Sequence, residues 1–195
     1  EADGLEGARR LRSQLSFAVK QSTQCKNRVR AALVESNTAF ERLVDLSKAW
    51  QLDVLEKIGG PWQVLDAGRK RLAKAARGAT AEELDALWES LSQATRPTDE
   101  QVGAEARVFP MLARRIRALE ADAEALSDLI AAEVAGDETY RCLLTVPGIG
   151  KATAAQLVAS VQVSSFPSHD KLASYCGLTP KDTQSGTTVS SSSAS

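Results

Sequence analysis

The sequence predicts an all-α protein: long antiparallel coiled-coil helices carrying a short helical insert, followed by a helix-hairpin-helix module. Three observations predict it. Ala, Glu, Lys, Leu and Arg fill 91 of the 195 positions and only 9 residues are aromatic, a balance typical of long helices and not of a sandwich or barrel. Two long segments place apolar residues at alternating steps of four and three, the spacing of a helix-packing seam. Between and after them, Gly, Pro and capping residues mark shorter pieces.

The first long helix is expected from about Leu5 to Leu33. Leu11, Leu15, Ala18, Ser22, Cys25, Val29 and Ala32 form its seam, narrow and weakened by small residues. From Asn37 to about Gly103 the pattern breaks into short helices. Asn37 or Thr38 suits a cap, and Leu43, Leu46, Ala49 and Trp50 supply an apolar face. Gly59-Gly60-Pro61 is a stop, and one helix should follow from Trp62 to Arg77, ending at Gly78. Thr80 and Glu83 read as a capping box ahead of a helix buried through Leu84, Leu87, Trp88 and Leu91. Arg96-Pro97-Thr98-Asp99 ends it.

The second long helix is expected from Asp99 to Val134, with Leu112, Ile116, Leu119, Ala123, Leu126 and Ile130 on its seam. Pro110 removes a helix hydrogen bond at a cost of about 3 kcal/mol, so a kink or a fresh helix start is expected there. The two seams pair within the chain or between two chains, and a homo-oligomer follows naturally from the coiled coil. Gly136-Asp137 closes the helix. From Leu143 to Ser195 the composition changes to 11 serines and five Lys or Asp charges. A boundary is therefore set between a helical linker, 1–140, and a C-terminal domain, 141–195. The chain starts without Met and ends in a serine run, Ser190 to Ser193, then Ala194-Ser195. These ends suggest a piece of a longer product.

The bulk numbers exclude several classes. No apolar run approaches the roughly 18 residues of a membrane span, and the acidic start Glu1-Ala2-Asp3-Gly4 lacks a signal core. Cys25, Cys142 and Cys176 form no CxxC pair. They read as reduced, mostly buried thiols of a cytoplasmic protein and not as metal ligands. His169, the single histidine, has no acid or nucleophile motif around it and reads as a surface residue at a helix start.

The net charge of -1 conceals a segregation. Arg9, Arg10, Arg12, Lys20, Lys26, Arg28 and Arg30 occupy an acid-free stretch between Gly7 and Val34. Arg69, Lys70, Arg71, Lys74 and Arg77 occupy another, between Ala67 and Ala81. The stretch from Ala118 to Tyr140 holds seven acids and no base. A basic helix can follow a phosphate backbone, releasing counterions. It can equally pack beside the acidic helix as a charge-matched hairpin. Both are possible on opposite faces. Arg9, Arg12, Lys26, Arg28 and Arg30 are the candidate backbone contacts.

The most informative stretch is Leu143 to Leu157, containing Pro147-Gly148-Ile149-Gly150-Lys151 and an Ala-rich continuation. It reads as helix, tight Gly-x-Gly turn and helix. Gly148 and Gly150 permit backbone angles that side chains obstruct. The amides opening the second helix offer a phosphate site, Lys151 adds a charge, and Ile149 turns inward to lock the pair. This layout resembles a helix-hairpin-helix that grips nucleic-acid backbone without reading sequence. A tight turn without a ligand is the alternative. The third Gly of a dinucleotide motif and the Gly-Lys-Ser/Thr ending of a P-loop are absent.

Leu144 to Gly150, Phe166-Pro167-Ser168, Leu172 to Pro180 and Gln184-Ser185-Gly186-Thr187 resemble, in order and spacing, the C-terminal domain of the DEDD-type insertion-sequence transposases, the bridge-RNA-guided "IS one-ten" family. Cys25 to Leu33 resembles that family's helical linker. The resemblance implies DNA as partner, a guide RNA as a further one, and an N-terminal ribonuclease-H-type domain whose four acids bind Mg²⁺. It implies a serine nucleophile, which falls on Ser185, attacking a DNA phosphate to form a phosphoserine. The alternative at Ser185-Gly186 is a plain turn. No stretch ahead of Glu6 can hold the acidic domain, so no metal site or cofactor is expected here and no recombination by this chain alone. The rival function is a coiled-coil dimerisation module without nucleic-acid affinity.

Overall fold

A computed structural model of the chain describes residues 5–161, 167–168, 171, 181–184 and 190–193. The described residues are helical, as the composition demands, with one small ribbon of strand near the C-terminus. The chain divides into two compact units, residues 13–126 and residues 1–12 together with 127–195.

The unit of residues 13–126 is built on two long helices, α1 (Glu6–Ser36) and α7 (Asp99–Glu133). On α1, Leu15, Ala18, Ser22, Cys25 and Val29 are buried as their spacing requires. The seam's last step falls on Leu33 instead of Ala32, because a helix of 3.6 residues per turn drifts from a strict alternation of three and four. Lys26 Nζ lies 2.7 Å from Glu120 Oε1, and Ser36 Oγ donates to Glu105 Oε2 at 2.9 Å. Later residues of α1 thus meet earlier residues of α7, and the two run antiparallel.

Pro110 lies inside α7, which continues unbroken from Asp99 to Glu133. No helix starts at the proline. Its neighbours Phe109, Leu112 and Ala113 are all buried in the unit's core. Burial of a phenyl ring and a leucine contributes roughly 1.5–3 kcal/mol each, which outweighs the lost helix bond.

The insert is a run of short helices: α2 (Thr38–Glu41), α3 (Ala49–Lys57), α4 (Pro61–Ala67), α5 (Arg69–Ala75) and α6 (Ala81–Ser90), with a 3₁₀ turn at Leu91–Gln93. Asn37 caps α2 through its side chain, accepting from Phe40 N at 2.9 Å. The expected apolar face over Leu43 to Trp50 divides: Leu46 and Trp50 are buried, whereas Leu43 is exposed. A turn at residues 42–48 separates them, so helical spacing does not apply. The expected single helix from Trp62 to Arg77 is two helices, split by Gly68 at φ 82°, a left-handed value that only glycine adopts freely. Thr80 and Glu83 form the capping box, with Glu83 N donating to Thr80 Oγ1 and Thr80 N to Glu83 Oε2.

The other unit holds α8 (Glu138–Leu143) and α9 (Lys151–Ser160), which pack together. Asp137 caps α8, accepting from Tyr140 N at 3.0 Å. Ala8, Ile130, Val134, Tyr140, Ala154, Ala155, Val158 and Ala159 are this unit's buried apolar residues. Strands β1 (Lys181–Gln184) and β2 (Ser190–Ser193) pair antiparallel, with Gln184 opposite Ser190. The serine run therefore takes part in a backbone ladder, which needs amides and carbonyls and no apolar side chains.

Candidate nucleic-acid interface

The turn between α8 and α9 is shaped by two glycines in different ways. Gly148 has φ 88° with nothing within 4 Å of where a Cβ would stand, so its requirement is conformational and not steric. Gly150 is the N-cap of α9 at φ -85° and ψ 170°, with no side chain to satisfy the amides that follow. Ala154 N returns to Gly150 O at 2.9 Å. The amides of Lys151, Ala152 and Thr153 precede the first helical bond and lack an intrahelical acceptor, beside the positive end of the helix dipole. Lys151 is exposed, and Ile149 is half-buried. On the far side of α9, Ala154, Ala155, Val158 and Ala159 are buried. Their small side chains allow close packing and leave the opening of α9 outward.

The basic residues of α1 have separate fates. Lys26 is engaged with Glu120 on the acidic helix. Arg30 Nη1 donates to Glu41 Oε1 at 3.0 Å, and Arg10 pairs with Glu6 at 2.5 Å. Arg12 and Arg28 are exposed, and Arg9 is half-buried. Arg9 and Arg12 belong to the same unit as Gly148–Lys151, whereas Lys26, Arg28 and Arg30 belong to the unit of residues 13–126. The charge-matched reading thus applies to Lys26, and the solvent-facing reading to Arg12 and Arg28.

A further basic concentration lies in the unit of residues 13–126, where Lys57, Ile58, Arg71, Lys74, Ala75 and Arg77 line an open cleft. The block from Arg69 to Arg77 is visible in the sequence, but Lys57 lies outside it. Lys57 joins it because α3 packs on α5, a tertiary contact with no local signal.

Ser185, His169 and Cys176 lie outside the described residues. Cys25 is buried, but Cys142 is exposed, against the expectation of mostly buried thiols. Cys142 sits on the outer face of the short helix α8, whose buried residue is Tyr140. Among the described residues, no group of three or more His, Cys, Asp or Glu side chains is placed to hold a metal ion. Among the same residues, no helix is long and apolar enough to cross a membrane.

Residues 140–195 match the model of the "Transposase IS116/IS110/IS902 family". The "Insertion element IS110 uncharacterized 43.6 kDa protein" of Streptomyces coelicolor is 31% identical over 178 residues, covering 87% of this chain and 43% of that protein. The chain thus spans less than half the length of this curated relative. No solved structure matches.

Proposed function

Since the chain belongs, through residues 140–195, to the transposase IS116/IS110/IS902 family, we propose that it is the DNA-binding helical part of an insertion-sequence transposase. The observation that carries this reading is the α8–α9 turn inside the matched segment. It presents a left-handed Gly148, unpaired amides at the start of α9 and an exposed Lys151. That combination suits a phosphate oxygen and reads no base. Exposed Arg12 and Arg28 add charge on α1, with Arg9, Lys26 and Arg30 as weaker contributors. Guide RNA is a second polyanion with the same backbone chemistry.

Ser185 is the proposed nucleophile. Its support is the match over 140–195 and the Gln184-Ser185-Gly186-Thr187 order. The hydroxyl needs a base or metal for activation, which the parent family would supply from its acidic domain. Transposition, its DNA ends and its guide RNA are thus proposed for the longer protein.

Binding is tested with labelled duplex DNA of about 20 base pairs by fluorescence anisotropy across a salt series. A steep loss of affinity with salt supports the reading. Absence of binding at low salt sinks it. The nucleophile is tested in the longer transposase by replacing Ser185→Ala. A protein–DNA adduct that persists in the variant rejects Ser185.

A second reading keeps a foothold. The Lys26–Glu120 pair ties α1 to α7 as a structural hairpin. Phe17 on α1 and Met111 on α7 are exposed apolar side chains available to another copy. A homo-oligomer through these helices is compatible with DNA binding, and light scattering on the purified chain measures it.

A further inference from the structure

The cleft of Lys57, Arg71, Lys74 and Arg77 lies in the unit of residues 13–126, outside the family-matched segment. Its construction follows from α5. Leu72 and Ala75 are the buried residues of this helix. Arg71 and Lys74, three apart on a helix, project to a common side, and both are exposed. The helix ends at Ala75, and Gly78 at φ 99° turns the chain, leaving Arg77 at the same mouth. Lys57 enters from the last turn of α3.

Several cations of this unit have acidic partners. Lys57 pairs with Asp53 at 2.9 Å, Arg69 with Asp85, and Lys48 with Glu83 at 2.5 Å. Arg71, Lys74 and Arg77 have no ion pair or side-chain hydrogen bond among the described residues. Helix-dipole stabilisation accounts for cations in a last turn, and so for Lys57 and Lys74. It does not account for Arg71, near the start of α5, or for Arg77, beyond its end. Three cations without an acidic partner around one depression, two of them outside the reach of a helix dipole, leave a positive potential that an external anion relieves. The cleft is open and its cations are exposed, so it does not enclose a small anion. A polymer whose charges repeat along a strand suits it better.

We propose that this cleft is a second phosphate-backbone site, on the helical insert, where Arg71, Lys74 and Arg77 hold a nucleic-acid strand. The inference rests on the proposed function only in taking nucleic acid as the partner; it is independent of the α8–α9 turn.

The test uses the full chain with labelled duplex DNA and, separately, labelled single-stranded RNA, each about 20 units long. Arg71→Glu with Lys74→Glu is compared with a charge-matched control, Arg114→Glu with Arg115→Glu, on the exposed side of α7. The cleft variant should bind about tenfold more weakly at about 0.1 M salt, and its salt slope should fall by roughly 2 on duplex DNA. Loss on one polymer alone assigns the cleft to that polymer. Equal loss in cleft variant and control makes the effect one of net charge and overturns the proposal. So does unchanged binding to both polymers, or displacement of the strands by polyglutamate at equal charge. Arg77→Gln, a neutral change outside any helix, covers the case in which the double variant unfolds; it should lower the slope by about 1. Replacing Lys151→Glu separates the two sites. If it has no effect while the cleft variant loses binding, the hairpin reading fails and the cleft stands.

Discussion

Asn37 donates its side-chain amide to the carbonyl of Ser90 at 3.1 Å, across 53 positions of sequence. The same side chain accepts from Phe40 N at 2.9 Å, and Asn37 is buried. One residue thus caps α2 and anchors it to the end of α6. Replacing Asn37→Ala removes the cap, worth about 1 kcal/mol, and a buried hydrogen bond of similar size. Urea unfolding should show a loss of about 2 kcal/mol. Asn37→Asp keeps the cap acceptor but turns a carboxylate toward the Ser90 carbonyl, and should be no better. A loss below about 0.5 kcal/mol for both would show that the anchor is idle.

Gly60 is a position of steric and not conformational need. At φ -79° any residue fits the backbone. A Cβ there would stand 2.4 Å from Cε2 of Phe109, a fully buried ring on α7. Gly60→Ala should destabilise by roughly 1–3 kcal/mol, the usual cost of overpacking. Combining it with Phe109→Leu should recover part of that loss. Strict additivity in the double-mutant cycle would refute the contact.

The pH response should carry opposing contributions. Burial raises the Glu105 carboxyl above its ordinary value of 4.5, against the hydrogen bond from Ser36 and with help from Glu35. A raised folded-state pKa contributes stability in full below the ordinary value, and that contribution is lost as pH rises through the raised one. Glu105→Gln keeps an acceptor for Ser36 and removes the half-buried charge, so its melting temperature should exceed the parent's at neutral pH. Asp66 acts the other way. Its hydrogen bonds with Arg96, at 2.8 and 2.9 Å, hold its carboxyl below the ordinary value of 3.8. That contribution is present above 3.8 and lost as pH falls through the lowered value. Both groups of this pair are exposed, so solvent screening keeps the contribution small. A melting profile of the Glu105→Gln variant parallel to the parent's between pH 4 and 8 would contradict the first assignment.

The hairpin turn gives a binding prediction with a stability control. Gly148→Ala meets no atom, so its cost is the left-handed backbone, about 1–2 kcal/mol. Lys151→Glu is exposed and should leave the melting temperature unchanged within error. On duplex DNA, both should weaken binding, and Lys151→Glu should reduce the salt slope by about 1. Wild-type affinity in both variants would remove the α8–α9 turn from the interface.

How much was legible beforehand differs element by element, and the physical reason is the range of the forces involved. The Thr80–Glu83 capping box, the break at Gly59-Gly60-Pro61 and the α1 seam through Leu15, Cys25 and Val29 could be read directly. Each depends on residues within a few positions of one another. Gly68 carries no local break signal, because a lone glycine inside a helical pattern costs only about 1 kcal/mol. Its left-handed φ appears only once α4 and α5 each bury their own side. Pro110 predicts an interruption because its penalty is local, while the compensation from Phe109 comes from core packing.

By itself the sequence determined the helical class, the α1 positions Leu15, Ala18, Ser22, Cys25 and Val29 that are buried, the Gly148–Lys151 turn and the separation of charge into blocks. The tertiary structure alone decided which charges remain free. Lys26 is matched because α7 runs antiparallel beside it and brings Glu120 to 2.7 Å. Arg71 and Lys74, read in the sequence as one more basic block, become the wall of a cleft because α3 packs against α5 and adds Lys57. A charge's identity is set by its residue, but its availability is set by what the fold places within a few ångströms, where Coulomb attraction is strong enough to hold it.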